Sequence, residues 1–245
     1  MKIKSSNKSY DNMEVNNYKD CFHAFMVEGA VFDGYYDIPF IPQNSSFEIN
    51  NLIPYVETLN HTYKNGDVVH FYLDDYKFDG PKGIWNGITS RINSKRSFDL
   101  SRFNGVSAII SPDFSLYLDM PKAMQVWNVY RSRTVGYYLS KIGFNVIPNV
   151  RWTDDESYSF AFDGIYEGQI VAVGTLGCSK SNKDKALFVN GFIEMVKRIK
   201  PSLVIIYGVV FKELTEVIDY YKVKVKQFDS KVSLFYRGIT NGNEK

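Results

Sequence analysis

The sequence predicts an α/β fold: a mostly parallel sheet with alternating helices, barrel-like or a partial barrel, with a doubly wound open sheet as the alternative. Three observations carry this. Strand-like and helix-like runs alternate from about residue 68 onward. The strand-like runs at residues 68–73, 106–110, 170–173 and 203–206 are almost wholly apolar, as strands covered by helices must be. Each ends abruptly in polar or glycine-bearing sequence, the usual mark of a strand exit near a ligand pocket.

The elements follow in order. Residues 38–42 form a short edge strand, since Pro39 and Pro42 cannot donate to a ladder. Residues 52–59 suggest a weak helix, and Asn65-Gly66-Asp67 a turn. The strand at 68–73 exits at Asp74-Asp75; residues 83–92 form a short, poor helix. The strand at 106–110 exits through Ser111-Pro112-Asp113. Pro121 opens a helix that Gly143 ends near residue 142. Residues 145–150 form a strand leading into Arg151-Trp152-Thr153-Asp154, and residues 158–165 are short helix or extended chain. The strand at 170–173 exits through Gly174 to Cys178. In the helix at 183–200, Phe188, Phe192, Met195, Val196 and Ile199 recur at helical spacing, and Pro201 stops it. The strand at 203–206 exits at Tyr207-Gly208, and a helix spans 211–221. Residues 223–228 and 232–236 alternate and suggest a closing C-terminal hairpin. Residues 1–18 read as a flexible arm, 19–238 as a single domain and 239–245 as a disordered tail.

Composition narrows the function. The 245 residues carry a net charge of +2, which makes no strong electrostatic case for wrapping duplex DNA and leaves room for a local basic patch. No signal-peptide pattern and no membrane-length apolar run stand in the sequence, which points to a cytoplasmic protein. Two cysteines and three histidines, His23, His61 and His70, show no zinc spacing. His70, in mid-strand, reads as a satisfied core histidine.

Five polar strand exits imply one shared pocket. Asp74, Asp113 and Asp154 are the candidate catalytic acids. Asp74 and Asp113 are also the pair that would hold Mg²⁺, an oxygen-loving ion. Asp75, Ser115, Asn128, Arg131, Arg133, Arg151, Trp152, Thr175, Gly177, Cys178 and Tyr207 are the candidate ligand-binding residues. In the long helix, Met124, Trp127, Val135, Tyr138 and Ile142 suggest an apolar stripe on which Arg131 falls. A guanidinium facing the sheet needs a partner, and Asp113, Asp74 or Asp154 would serve. That pairing would either fix helix to sheet or leave Arg131 to bind an anion. Arg133 faces elsewhere and reads as a surface residue. Trp152 either packs in the core or stacks on a base.

The turn from Thr175 to Lys183 contains glycine and hydroxyls before a helix, a setting that suits an anion, but the GxxxxGK[ST] order is absent. Ser181 or Asn182 would be the helix cap. Cys178 lacks a histidine anywhere after it. Lys222, Lys224 and Lys226 alternate on one strand face and suit a solvated edge.

The stretches LDDYKF, SPDFSLYLDMP, QVWNVYRSR, VIPNVRW, FAFDGI, VAVGTLGC and FIEMVKRIKP together resemble domain-of-unknown-function family 4417, found in bacteriophages and mobile elements. Its motif positions here are Asp74, Asp75, Phe78, Asp113, Phe114, Ser115, Asn128, Tyr130, Arg131, Arg133, Trp152, Gly177 and Cys178. Gly174 departs from the serine that the resemblance leads one to expect. The resemblance implies work in nucleic-acid metabolism or in blocking host defence. Two functions follow: a pocket that binds, with or without cleaving, a phosphorylated nucleotide or nucleic-acid end, or a non-catalytic protein that disables a host factor.

Overall fold

A computed structural model describes residues 20, 22–43, 47–90 and 98–230. The expected arm and tail, and the second half of the expected hairpin, lie outside the described residues. Nine strands and four α-helices are formed among those described.

A short antiparallel pair, β1 (Phe32–Asp33) and β2 (Ile38–Pro39), precedes the main sheet. Then β3 (Asn51–Pro54), β4 (Asp67–His70), β5 (Ala108–Ile110) and β6 (Val146–Ile147) pair in sequence order, all parallel. A second parallel set follows, β7 (Ile170–Gly174), β8 (Leu203–Tyr207) and β9 (Val225–Phe228). An isolated parallel bridge, Asn149 to Ala172, joins the two sets. The helices are α1 (Ile84–Thr89), α2 (Lys122–Lys141), α3 (Asn182–Ile199) and α4 (Lys212–Tyr221).

The strand side chains explain the shape. Along each strand, neighbours point to opposite faces. Val69, Ile109, Val146, Val171, Val173, Val204 and Ile206 face the helices and form the two large outer core clusters. Val68, Ala108, Ile110, Ile147, Ala172 and Ile205 form a separate inner cluster. Tyr72, just past β4, stacks on Tyr207 of β8 with ring centres 5.1 Å apart, and His70 lies 4.4 Å from the same ring. Strands β5, β6 and β7 stand between β4 and β8 in the order, so these rings can meet only if the sheet is rolled. Lys226 of β9 donates to the Ile49 carbonyl just before β3. No ladder joins β9 to β3 among the described residues, so the roll is a partial barrel.

Several expectations are corrected. Residues 52–59 are not a helix: Leu52 and Ile53 pair with Val68 and Val69 in β3, and only Tyr55–Glu57 coil as a 3-10 turn. Packing against β4 outweighs the weak local helical pattern. The first half of the expected hairpin is β9, but it pairs parallel to β8. Its lysines are exposed, as a solvated edge requires.

The largest correction concerns α2. Met124, Trp127 and Ile142 are exposed, while Gln125, Asn128, Ser132, Arg133 and Gly136 are buried. The inner face is polar because it lies over irregular chain whose carbonyls lack ladder partners. Gln125 donates to Tyr117 and Met120, Asn128 to Ser115, and Ser132 to Pro112. Arg133 donates Nε to Asp163, Nη1 to Asn149 and Nη2 to Ala161 at 2.7–3.0 Å, all at backbone oxygens. It is 1% exposed, not a surface residue. Burial among carbonyls lowers its pKa to about 10, with Asp163 and Asp33 opposing the shift.

Candidate ligand cleft

A cleft of about 510 Å³ opens at the carboxyl ends of the middle strands. The β4 exit contributes Asp74, the β5 exit Leu116, Tyr117 and Leu118, and the β6 exit Arg151, Trp152 and Thr153. Gly174, Leu176, Gly177, Cys178 and Lys180 come from the β7 exit, and Asp184, Leu187 and Phe188 from α3. The strands end here together because the parallel ladders align their termini.

Arg151 is the organising group. Its Nη1 donates to Asp113 Oδ2 at 2.7 Å. That carboxylate raises the pKa of Arg151, outweighing burial. Asp113 is held on its other oxygen by Asn149 Nδ2 at 2.8 Å, and Asn149 Oδ1 accepts from the Tyr72 hydroxyl at 3.0 Å. Asn149 N donates to Ser111 Oγ, and Asn149 O accepts from Arg133. A continuous hydrogen-bonded chain thus runs from the barrel interior to the cleft wall. Burial pushes the Tyr72 phenol well above its ordinary value, so it stays protonated and donates. One edge of Arg151 is fixed by this chain. Its Nε and Nη2 donate no hydrogen bond among the described residues.

Asp75 fastens the neighbouring exit. Its carboxylate accepts from Ser115 Oγ at 2.9 Å and Ser115 N at 3.3 Å, and burial raises its pKa. Asn128 and Arg131 form a separate brace on the α2 side. Arg131 donates Nη1 to both oxygens of Asp79, at 3.0 and 2.8 Å, and Nη2 to Asn128 Oδ1 at 2.6 Å. Its guanidinium lies 3.9 Å from the centre of the Phe114 ring. The partner of Arg131 is therefore Asp79, not Asp113, Asp74 or Asp154. The 3-10 turn at Asp75–Lys77 leads directly into Asp79, which meets Arg131 on α2.

The other expected residues divide clearly. Asp74, Arg151, Trp152, Gly177 and Cys178 line the cleft. Asp113 stands behind Arg151. Arg133, Thr175 and Tyr207 are buried structural groups, with Thr175 N donating to the Tyr207 carbonyl at 3.0 Å. Asp154 is drawn away by Lys122 at 3.2 Å. Trp152 packs on Phe188 and Phe162 and is seated against Gly191, where a Cβ would stand 2.1 Å from its Nε1. Gly174 has a like cause: a side chain there would press within 2.7 Å of the Tyr72 ring. Burial pushes the Cys178 thiol up, while Arg151 opposes the shift.

The metal expectation does not fit these donors. Asp113 is committed to Arg151 and Asn149, and Asp74 pairs with Lys77 at 3.0 Å. Among the described residues no three His, Cys, Asp or Glu side chains come together as a metal set.

Sequence reasoning missed Lys180, the wall formed by Leu118 and Leu187, and the role of Asn149. Alternation held the clue to the last: Asn149 and Arg151, two apart at one strand exit, both reach Asp113.

Fold and cleft define a class: a singly wound, parallel α/β protein with a charged, partly apolar cleft at its strand exits. The chain belongs to the domain-of-unknown-function family DUF4417, which matches residues 30–229. It is similar to the Gene 1 protein of Mycobacterium phage L5, 38% identical across 67% of this chain and 72% of that protein. The Gene 1 protein of Mycobacterium phage D29 is 37% identical across 68% of this chain; the match spans 62% of that protein's length. The family thus has members encoded by bacteriophages. No solved structure matches. No helix among the described residues is long and apolar enough to cross a membrane.

Proposed function

We propose that the cleft binds a phosphorylated nucleotide or a phosphorylated nucleic-acid end. One observation carries this: Arg151 lines the cleft, is clamped on one edge by Asp113, and has further N–H donors with no partner among the described residues. A guanidinium is a planar fork suited to phosphate oxygens, and prior orientation reduces the ordering cost of binding. Lys180 adds a second positive charge on the cleft lining, and the apolar wall of Leu118, Leu187 and Phe188 suits a base or sugar face. Binding is the whole of the proposal. Asp113 is neutralised by Arg151, and Cys178 has no histidine among its hydrogen-bond partners.

The test compares Arg151→Lys with the parent protein by calorimetry against nucleotides and short phosphorylated oligonucleotides. Lysine keeps a charge beside Asp113 but not the planar fork. Affinity should fall at least about tenfold while the melting temperature moves little, since one charge-assisted hydrogen bond is worth about 1.5–3 kcal/mol. Equal affinity in the variant would remove Arg151 from the site.

The alternative, a protein that blocks a host factor, draws on a different feature. Met124 and Trp127, one turn apart on α2, are exposed and lie outside the cleft lining. Substituting Met124 and Trp127 with serine leaves the cleft untouched, so loss of phage fitness in that variant alone would favour this alternative.

A further inference from the structure

The charge lining the cleft narrows the ligand beyond that proposal, on which this step rests. Two cations, Arg151 and Lys180, face two carboxylates, Asp74 and Asp184. The side-chain charge therefore sums to zero before Asp113 is counted behind Arg151. A site for a polyphosphate is built differently, with excess cations or a metal to spread several negative charges.

The start of α3 points the same way. Ser181 Oγ accepts from Asp184 N at 3.1 Å and donates to Asp184 Oδ2 at 2.7 Å. Ser181 caps the helix, and Asp184 sets a carboxylate beside it in the first turn, on the cleft lining. Asp184 repels a second or third phosphate from that end. The free donors of Arg151 suffice for one phosphate group, and the two carboxylates can accept hydrogen bonds from hydroxyl or amino groups on the rest of the ligand.

We infer that the cleft selects a ligand bearing a single phosphate, a nucleoside monophosphate or a monophosphorylated strand end, and discriminates against polyphosphates. A phosphate monoester carries roughly −1.5 to −2 charges at neutral pH, which the free edge of Arg151 and Lys180 meet locally although the lining as a whole is neutral. Further phosphates add charge that only Asp74 and Asp184 meet, and like charges a few ångströms apart cost binding energy.

The experiment measures binding of adenosine and guanosine mono- and triphosphates to the full chain by calorimetry, with EDTA present so that no metal masks the triphosphate. Further arms use a short single-stranded oligonucleotide with and without a 5′-phosphate. The monophosphates, or the phosphorylated oligonucleotide, should bind at least about tenfold tighter than the triphosphates. Which of the two binds tighter identifies the source of the phosphate. Asp184→Asn, which keeps an oxygen acceptor for the Ser181 hydroxyl, should narrow that ratio by raising triphosphate affinity. Triphosphate binding as tight as monophosphate binding, still sensitive to Arg151→Lys, would overturn this inference and leave the cleft proposal standing. No binding in any arm would overturn both.

Discussion

Arg133 and Arg151 sit on neighbouring elements and are joined through Asn149 and Asp113, yet they are used in opposite ways. Arg133 spends its donors on three backbone oxygens and is shut from solvent. Arg151 spends one and keeps an edge open to the cleft. The region around Arg133 is therefore a joint, tying α2 to the irregular chain that leads into β7. The region around Arg151 is a prepared surface. Full satisfaction of hydrogen-bonding groups marks structure, and partial satisfaction beside open space marks a place for something else to bind.

Substitutions can break or sharpen that contrast. The largest effect is expected at the joint. Arg133→Met leaves three buried carbonyls without donors, each costing about 1–3 kcal/mol, so the variant should lose about 4 kcal/mol or more, read as a shift of the urea midpoint. A loss under about 1 kcal/mol would mean that water replaces the guanidinium and that the joint is not one.

Asn149→Ala comes next. It severs the Tyr72–Asn149–Asp113 chain and should cost about 2–3 kcal/mol. It should also weaken nucleotide binding, because Asp113 then no longer holds Arg151 in one orientation. Stability lost with affinity intact would confine Asn149 to the joint.

Asp163 gives a pH-dependent test of the joint. Burial, with Asp33 nearby, raises its pKa from 3.8 to about 6, and its Oδ2 is buried without a hydrogen-bond partner. The folded state therefore holds a proton more tightly than the unfolded one. The stability this gives is complete below about pH 4 and is lost as pH rises through about 6. Asp163→Asn stays neutral throughout, so it should exceed the parent by about 2–3 kcal/mol at pH 8 and match it near pH 4. Denaturation midpoints across that range decide the point, and a parallel pair of curves would refute it.

The smallest effect is expected at Arg131. Arg131→Ala removes the Asp79 pair and the Phe114 contact, costing about 1–2 kcal/mol, and should leave nucleotide affinity within about twofold. A larger loss of affinity in a folded protein would move the ligand site to the α2 brace.

Local pattern made much of the frame legible. The apolar runs at β4, β5, β7 and β8 and the spaced apolar residues of α3 read directly, because strand and helix periodicity is a property of nearby residues. Pro121 and Gly143 bracketed α2 for the same local reason. The face of α2 was not legible, because hydrogen-bonding demand came from loop carbonyls far along the chain. Residues 52–59 failed likewise: β3 exists only through its ladder with β4.

What the sequence determined by itself was the succession of strands and helices, and with it the polar strand exits, since these follow from side-chain periodicity and turn chemistry within a few residues. Only the tertiary structure decided which charges met. Arg131 took Asp79 and Arg151 took Asp113, because ion pairing depends on a few ångströms of distance that rolling the sheet sets. That same roll placed Tyr72 under Asn149, and so decided which arginine was left with an edge to offer.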